Sequence, residues 1–241
     1  MEFTNETLYM RVRRLDFNDI EHWDVSKVTS MDGLFLLIKD FNYDISNWDV
    51  SNVTSMESMF SKCNNFDQNL NNWDVSKVTN MRNMFFGCKN FNGNIRDWKV
   101  NNVTDMNSMF KECKNFNIDI SGWDVSNVTD MSYMFRCCYK FNQNLNNWDV
   151  SNVTDANQMF SGVTLSSANY DALLIGWNAQ NLQSNVRFSG GNSQYCDGAT
   201  ARANMIAADL WTITDGGTAA PQVDVLADQT HNNSYTLPVI T

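Results

Sequence analysis

Residues 41–63 read FNYDISNWDVSNVTSMESMFSKC, and closely related text returns every 25 residues along the chain. Tryptophan marks this period at six positions: Trp23, Trp48, Trp73, Trp98, Trp123 and Trp148. A unit of this length cannot bury its apolar face alone, whereas stacking on a neighbour buries it. The repeat therefore predicts a solenoid of α/β class over residues 17–165.

Two patterns alternate within each unit. Met56, Met59, Phe60 and Cys63 have the spacing i, i+3, i+4, i+7, which is typical of one face of an α-helix. Thr54 precedes them and suits the N-cap of that helix. The text IxxWDV is β-rich, and its Trp and Val lie two residues apart, so they share one face of a strand. We therefore predict one short strand and one helix per 25-residue repeat.

Curvature follows from these two elements. Neighbouring strands lie about 4.8 Å apart, whereas packed helices need about 8–10 Å. The mismatch predicts a curved solenoid with the strands on its inner side.

Different text flanks the array and predicts caps. Residues 1–16 contain a predicted helix, 4–15, with Leu8, Val12 and Leu15 on one face. Residues 166–218 read as a C-terminal cap with helices at 167–179 and 199–210 and strands at 186–189 and 211–214. Residues 219–241 read as a tail or the start of a following β module.

The repeated text also carries a family resemblance. WDVSNVTDM at 123–131, followed by Met134, Phe135 and Cys138, resembles the BspA-like leucine-rich repeat family of bacterial surface proteins. The resemblance covers residues 17–163 and implies a leucine-rich-repeat-type solenoid. It also implies a non-catalytic cell-surface or secreted adhesion module that binds protein or glycan ligands of the extracellular matrix, a host or a neighbouring cell. It supplies no catalytic residues to transfer.

The composition disfavours two classes of binding partner. The formal net charge of −10 disfavours nucleic acid and anionic membrane, and no apolar run suggests membrane insertion. The first residues lack the apolar stretch of a signal peptide, so for a surface protein we expect the signal to lie outside this chain. We expect a monomeric module of a longer chain. The alternatives are an intracellular protein-interaction scaffold and a Ca²⁺-dependent surface module.

The side chains that carry chemistry have structural interpretations. The cysteine column, Cys63, Cys88, Cys113 and Cys138, could hold disulfides or a metal, but burial as small hydrophobic groups is favoured. The Asp that follows most of the tryptophans could bind Ca²⁺, but hydrogen bonds within its own turn are favoured. The sequence contains no catalytic motif, so we expect no enzyme, cofactor or resident metal.

The remaining candidates are outward positions beside the tryptophans. These vary from repeat to repeat as Ser46-Asn47, Asn71-Asn72, Arg96-Asp97, Ser121-Gly122 and Asn146-Asn147. Variation on a constant framework is how a repeat protein would encode a ligand, although drift on a solvated face gives the same pattern. The predicted ligand face comprises Asn47, Asp49, Asn72, Asp74, Asp97, Lys99, Asp124, Asn147 and Asp149.

Overall fold

The repeats stack in parallel with a one-repeat offset. The structure, a computed structural model, describes residues 2–220. Backbone bridges join residues 25 positions apart from one coil to the next: Ser30 to Ser55, Ser55 to Asn80, Asn80 to Asp105, Asp105 to Asp130 and Asp130 to Asp155. We call each 25-residue turn of the chain a coil and name it by its tryptophan. Residues 221–241, most of the predicted tail, lie outside the described residues, and the division into array and caps stays a prediction.

Regular elements are confined to the two ends of the described chain. Helix α1 spans Asn5–Arg13, and a 3-10 helix spans Ile20–His22. After the coils come α2 (Ser167–Asn178), β1 (Arg187–Ser189), α3 (Ala199–Ala208) and β2 (Thr212–Thr214). Strands β1 and β2 pair in parallel, with Phe188 opposite Ile213. The five predicted elements at the ends thus form within two residues of their predicted bounds. Leu15 lies beyond α1 and is exposed, so its predicted place on the buried face is wrong.

The helix predicted in each repeat is wrong. In residues 55–63 and their counterparts, backbone N–H groups alternate between two acceptors. Those of Met56, Ser58 and Phe60 donate to the next coil, and those of Met59, Ser61 and Cys63 donate to the residue three positions back. Ser58 and Lys62 have positive φ, as do the residues at the same two positions in the other coils. The segment is therefore a chain of turns that still points Met56, Met59, Phe60 and Cys63 inward.

Coil spacing explains why helices do not form. The rings of Phe60 and Phe85 are 5.4 Å apart, and those of Phe85 and Phe110 are 5.7 Å apart. Helices cannot pack at this distance because their axes need about 8–10 Å, whereas backbones that bond from coil to coil can. The mismatch from which we predicted curvature is therefore absent. The predicted threonine N-caps are also wrong, because Thr54 and its counterparts donate their hydroxyls to the preceding coil's threonine carbonyl at 3.1–3.3 Å.

The strand predicted at IxxWDV is also replaced by turns. The N–H of Trp48 donates to Ile45 and that of Val53 donates to Val50, each three residues back. These local bonds use N–H groups that a strand would offer to its neighbour. The parallel pairing falls instead at Ser55 and its counterparts.

The interior consists of columns of like side chains. Trp23 stacks on Trp48, Trp73 on Trp98 and Trp98 on Trp123, with ring centroids 6.2–6.5 Å apart. The indole N–H of each tryptophan from Trp48 to Trp148 donates to an aliphatic residue's carbonyl in the preceding coil at 2.8–3.2 Å. The methionine columns are fully buried, so their prediction as core is confirmed. The buried indole N–H groups of one coil therefore find their hydrogen-bond acceptors in the preceding coil.

Both ends of the stack are covered. Helix α1 buries Leu8 and Val12, and Thr4 caps its first turn. At the other end α2 continues the tryptophan column, because the indole of Trp177 donates to the Leu145 carbonyl at 3.1 Å. Gly176 lets α2 lie close to the Trp148 coil, since a Cβ at this position would collide with the backbone of Asn146.

One residue in the turns distinguishes the observed backbone from a helix. We expect Ser58→Gly to be more stable than Ser58→Ala by about 0.5–1 kcal/mol, because only glycine adopts the positive φ of 58° without strain. In a helix interior the order would be reversed, with alanine better by about 0.8–1 kcal/mol. Urea unfolding of the two variants measures the difference. A more stable alanine variant would contradict the turn.

Candidate ligand face

The aspartates beside the tryptophans serve their own turns. Asp49, Asp74, Asp124 and Asp149 each accept, through Oδ1, the backbone N–H of the serine two residues on, at 3.0–3.1 Å. Asp24 in the first coil does the same for Ser26. The prediction of turn-stabilising hydrogen bonds is confirmed.

A second set of turns and an internal ladder use the remaining Asn and Asp columns. Asp44, Asn69, Asn94, Asp119 and Asn144 each accept the N–H of the residue two positions on. Asn42 instead accepts the N–H of Asp67 in the next coil, and this pattern repeats along the stack. These side chains hold the backbone in place.

The nine predicted ligand residues therefore divide into two groups. All nine are exposed and form the surface we call the ladder face. Four of the five aspartates are held in turns, and Asp97 is bonded to Asn71 at 2.7 Å. Within residues 2–220 the other four side chains make no hydrogen bond or ion pair: Asn47, Asn72, Lys99 and Asn147. These four are the members of the face that the fold leaves available for a partner.

Two hollows open on the ladder face beside Lys99. The larger, of about 460 Å³, lies between the Trp98 and Trp123 coils and is lined by Arg96, Asp97, Lys99, Asn101 and Gly122 among others. The smaller, of about 320 Å³, lies toward the Trp73 coil and shares Asp97 and Lys99. Asn101 was not predicted, and Arg96 and Gly122 were noted only as varying positions. All three differ from their counterparts in the other coils, which is the signal that identifies them.

Charges around the larger hollow are mixed. Arg96 pairs with Asp119 beside the larger hollow, while Lys99 also lies close enough to Asp74, which lines the smaller hollow, to contribute to the low pKa of that carboxyl. The main cause of the low pKa of Asp74 is its pair of hydrogen bonds with Ser76. The hollow thus combines cationic donors with several carboxylate acceptors.

The cysteine column is structural. Cys63, Cys88, Cys113 and Cys138 are buried free thiols, and each donates to a phenylalanine carbonyl 28 residues earlier at 2.8–3.0 Å. Burial raises the pKa of all four thiols, to about 12 for Cys63. The prediction of burial is confirmed, and these thiols are poor nucleophiles.

Neither a metal-ligand cluster nor a membrane-spanning helix occurs in the part of the chain that the structure describes. Among residues 2–220 no three His, Cys, Asp or Glu side chains converge as a metal-ligand set. None of the helices in this range is long and apolar enough to cross a bilayer.

Asp119, which lines the larger hollow, makes the stability of the fold sensitive to acid. Hydrogen bonds from Ser121, and then Arg96, lower the pKa of Asp119 to about 2. A carboxyl with a depressed folded-state pKa stabilises the fold fully above its unfolded pKa of about 4, and that stability is lost as pH falls through the folded-state pKa of about 2. We expect Asp119→Asn to cost about 1 kcal/mol at pH 7 and clearly less at pH 2. Urea midpoints at both pH values test this, and an equal cost at both would contradict it.

Comparison with known proteins returns one family. A family model described as "Mycoplasma protein of unknown function, DUF285" matches twice, over residues 4–102 and 61–177. Together the two matches cover well over half of the chain. Neither a curated protein nor a solved structure matches.

Proposed function

Since this chain belongs to the Mycoplasma protein family of unknown function DUF285, we propose its role from its own surface: a non-catalytic module that presents the ladder face to a protein or glycan ligand. We further propose that the stacked coils form a solenoid of leucine-rich-repeat type, as in BspA-like surface proteins. The place of action in this proposal is the cell surface or the extracellular space.

One observation supports a binding role above the others. The buried columns and their hydrogen bonds are nearly invariant from coil to coil, whereas Asn47, Asn72, Lys99 and Asn147 contribute nothing to them. A side chain that holds no part of the fold is free to contact a partner. A rigid backbone beneath these side chains also avoids the entropy cost of ordering a loop on binding, which favours recognition.

The turns support the same proposal by fixing the backbone under the face. Four of the coils carry both of these side-chain-to-backbone turns, as at Asp44 and Asp49 in the Trp48 coil, and the Trp23 and Trp98 coils carry one of them each. The face is therefore ordered before a ligand arrives, and we expect little rearrangement on binding.

A glycan array and a panel of immobilised extracellular-matrix proteins test the proposal. We expect the purified chain to bind members of one set, and binding to fall at least tenfold when the four unbonded side chains are replaced by serine: N47S, N72S, K99S and N147S. A matched control replaces three exposed lysines elsewhere on the coils and should bind normally: K39S, K89S and K140S. Equal binding by the two variants would place the contact off the ladder face.

A further inference from the structure

The Trp98 coil lacks a hydrogen bond that the other coils make. In those coils an aspartate carboxylate accepts the N–H of the residue two positions on. Lys99 occupies this position in the Trp98 coil and offers no acceptor. Within residues 2–220 the N–H of Asn101 makes no hydrogen bond. An ammonium group and a spare N–H donor therefore lie together where the repeat normally places a carboxylate.

The neighbouring coil leaves space at the same place. Gly122 occupies the column of Asn47, Asn72, Asp97 and Asn147, and no atom lies within 4 Å of the position that its Cβ would take. The result is the larger hollow of about 460 Å³. Arg96 lines it as well, at a position that carries Ser or Asn in the Trp48, Trp73, Trp123 and Trp148 coils. Four departures from the repeat, at Arg96, Lys99, Asn101 and Gly122, thus line a single hollow.

The opposite side of the hollow supplies acceptors. Asp124 uses Oδ1 for its own turn with Ser126, so its Oδ2 is available. Asp97 also borders both hollows. A ligand that fits must carry an acceptor group for Lys99 and Asn101 and donor groups for these carboxylates. Because Lys99 and Asp97 also line the smaller hollow, a ligand longer than one ring has room to continue.

We propose that this hollow binds the carboxylate of an acidic sugar, of the uronic or sialic type, within a glycan; this inference rests on the proposed function. The sugar carboxylate takes the place of the missing aspartate, accepts from the Asn101 N–H and pairs with Lys99. Sugar hydroxyls donate to Asp97 and Asp124. A single carboxylate is favoured over a densely sulfated polyanion, because repulsion by those carboxylates and by the net charge of −10 increases with each further negative group.

Titration followed by ligand-observed NMR and calorimetry tests the proposal on the full chain. The probes are the methyl glycosides of glucuronic acid and N-acetylneuraminic acid. Methyl glucoside, which lacks the carboxylate, and acetyl-arginine amide, which stands for a basic protein partner, are the comparisons. We expect a Kd in the millimolar range for at least one acidic sugar, as suits a small polar ligand, and at least tenfold weaker binding of both comparison compounds.

Two substitutions restore the repeat and should remove the site without disturbing the fold. Lys99→Asp returns the internal acceptor for the Asn101 N–H, and Gly122→Asn fills the hollow with the residue that the Trp48, Trp73 and Trp148 coils carry at this position. Each substitution should weaken the binding of the acidic sugar at least tenfold, while the urea midpoint stays the same. Lys77→Asp makes the same charge change one coil away, where Lys77 contacts Asn52 at 2.7 Å, and should leave the Kd within twofold.

Transplantation tests whether these residues suffice. Ser46→Arg, Asn47→Asp, Asp49→Lys, Ser51→Asn and Asn72→Gly together copy the arrangement two coils earlier, where Asp74 already stands at the position of Asp124, and we expect the number of bound sugars to rise from one to two. A folded transplant that still binds one sugar would show that these residues do not make the site.

The remaining outcomes separate this inference from the proposed function. Equal binding of methyl glucoside, or full affinity in Lys99→Asp, overturns the acidic-sugar site. Binding of acetyl-arginine amide alone also overturns it, and leaves a protein partner for the ladder face. If no sugar binds but the arrays give ligands that the four-serine variant loses, this inference fails and the proposed function stands. If the glycan array and the matrix-protein panel also yield no ligand, both the acidic-sugar site and the proposed function fail.

Discussion

Replacing Phe85 by alanine should lower the free energy of unfolding by about 3–5 kcal/mol, the range for a fully buried phenylalanine. Phe85 lies in the middle of the aromatic stack, with ring centroids 4.1 Å from Phe91, 5.4 Å from Phe60 and 5.7 Å from Phe110. Neighbouring coils cannot close the cavity, because their backbones are bonded to one another at fixed spacing. Urea unfolding followed by tryptophan fluorescence measures the loss.

The adjacent residue provides the control. Phe86 is half-buried, and its ring faces the ammonium groups of Lys62 at 3.8 Å and Lys111 at 5.0 Å. Phe86→Ala removes the same atoms but loses only partial burial and exposed cation–π contacts, so we expect a cost of about 1 kcal/mol. Similar losses for the two variants would mean that Phe85 does not lie in a continuous core.

The inward columns could be predicted from residue type alone. Trp98, Met109 and Phe110 recur at fixed positions and are large and apolar, so their burial follows whatever backbone carries them. The backbone itself could not be predicted from that pattern. The spacing i, i+3, i+4, i+7 suits a helix, but a chain of turns with left-handed residues at Ser58 and Lys62 presents the same side chains inward.

A signal for the turns was present in the sequence. The two left-handed positions carry Gly33, Gly87 and Gly162 in three of the coils, and the Trp73 coil that contains Gly87 also carries Asn83 at the other position. Glycine and asparagine tolerate positive φ and are poor helix formers, so their recurrence at two columns argues against a helix. Hydrophobic spacing alone does not distinguish a helix from this chain of turns, because both point the same side chains inward.

The ladder face was predictable only in part. The aspartate turns follow from local sequence, because the Asp and the Ser that it holds lie two residues apart. The hollow beside Lys99 needs the alignment of two coils, since Gly122 lies 23 residues further along the chain. Comparing each residue with its own column, rather than with its sequence neighbours, would have identified Arg96, Asn101 and Gly122.

Replacing Asp215 by alanine should have a second large effect, a loss of about 3–5 kcal/mol, because it removes the buried member of an ion pair together with the acceptor of two further hydrogen bonds. The Asp215 side chain is 2% exposed and meets Arg202 at 2.7 Å. It also accepts from the Tyr170 hydroxyl at 2.8 Å and the Gly217 N–H at 3.1 Å. Burial and the nearby Asp215 carboxylate raise the pKa of Tyr170, so the hydroxyl stays a donor. Hydrogen exchange at the Gly190 N–H, which donates to Thr214, reports loosening of the cap.

Asp197→Ala in the same cap is the control, because Asp197 is exposed and its loss should cost less than about 0.5 kcal/mol. A double variant separates charge from hydrogen bonding. Arg202→Met with Asp215→Leu removes both charges, so it should recover part of the loss, since an apolar pair often replaces a buried ion pair at little cost. Recovery should stay incomplete because the Tyr170 hydroxyl and the Gly217 N–H would still lack their acceptor. Full recovery would mean that the loss in Asp215→Ala comes only from the unpaired charge of Arg202. Asp215 would then not organise the turn that follows β2.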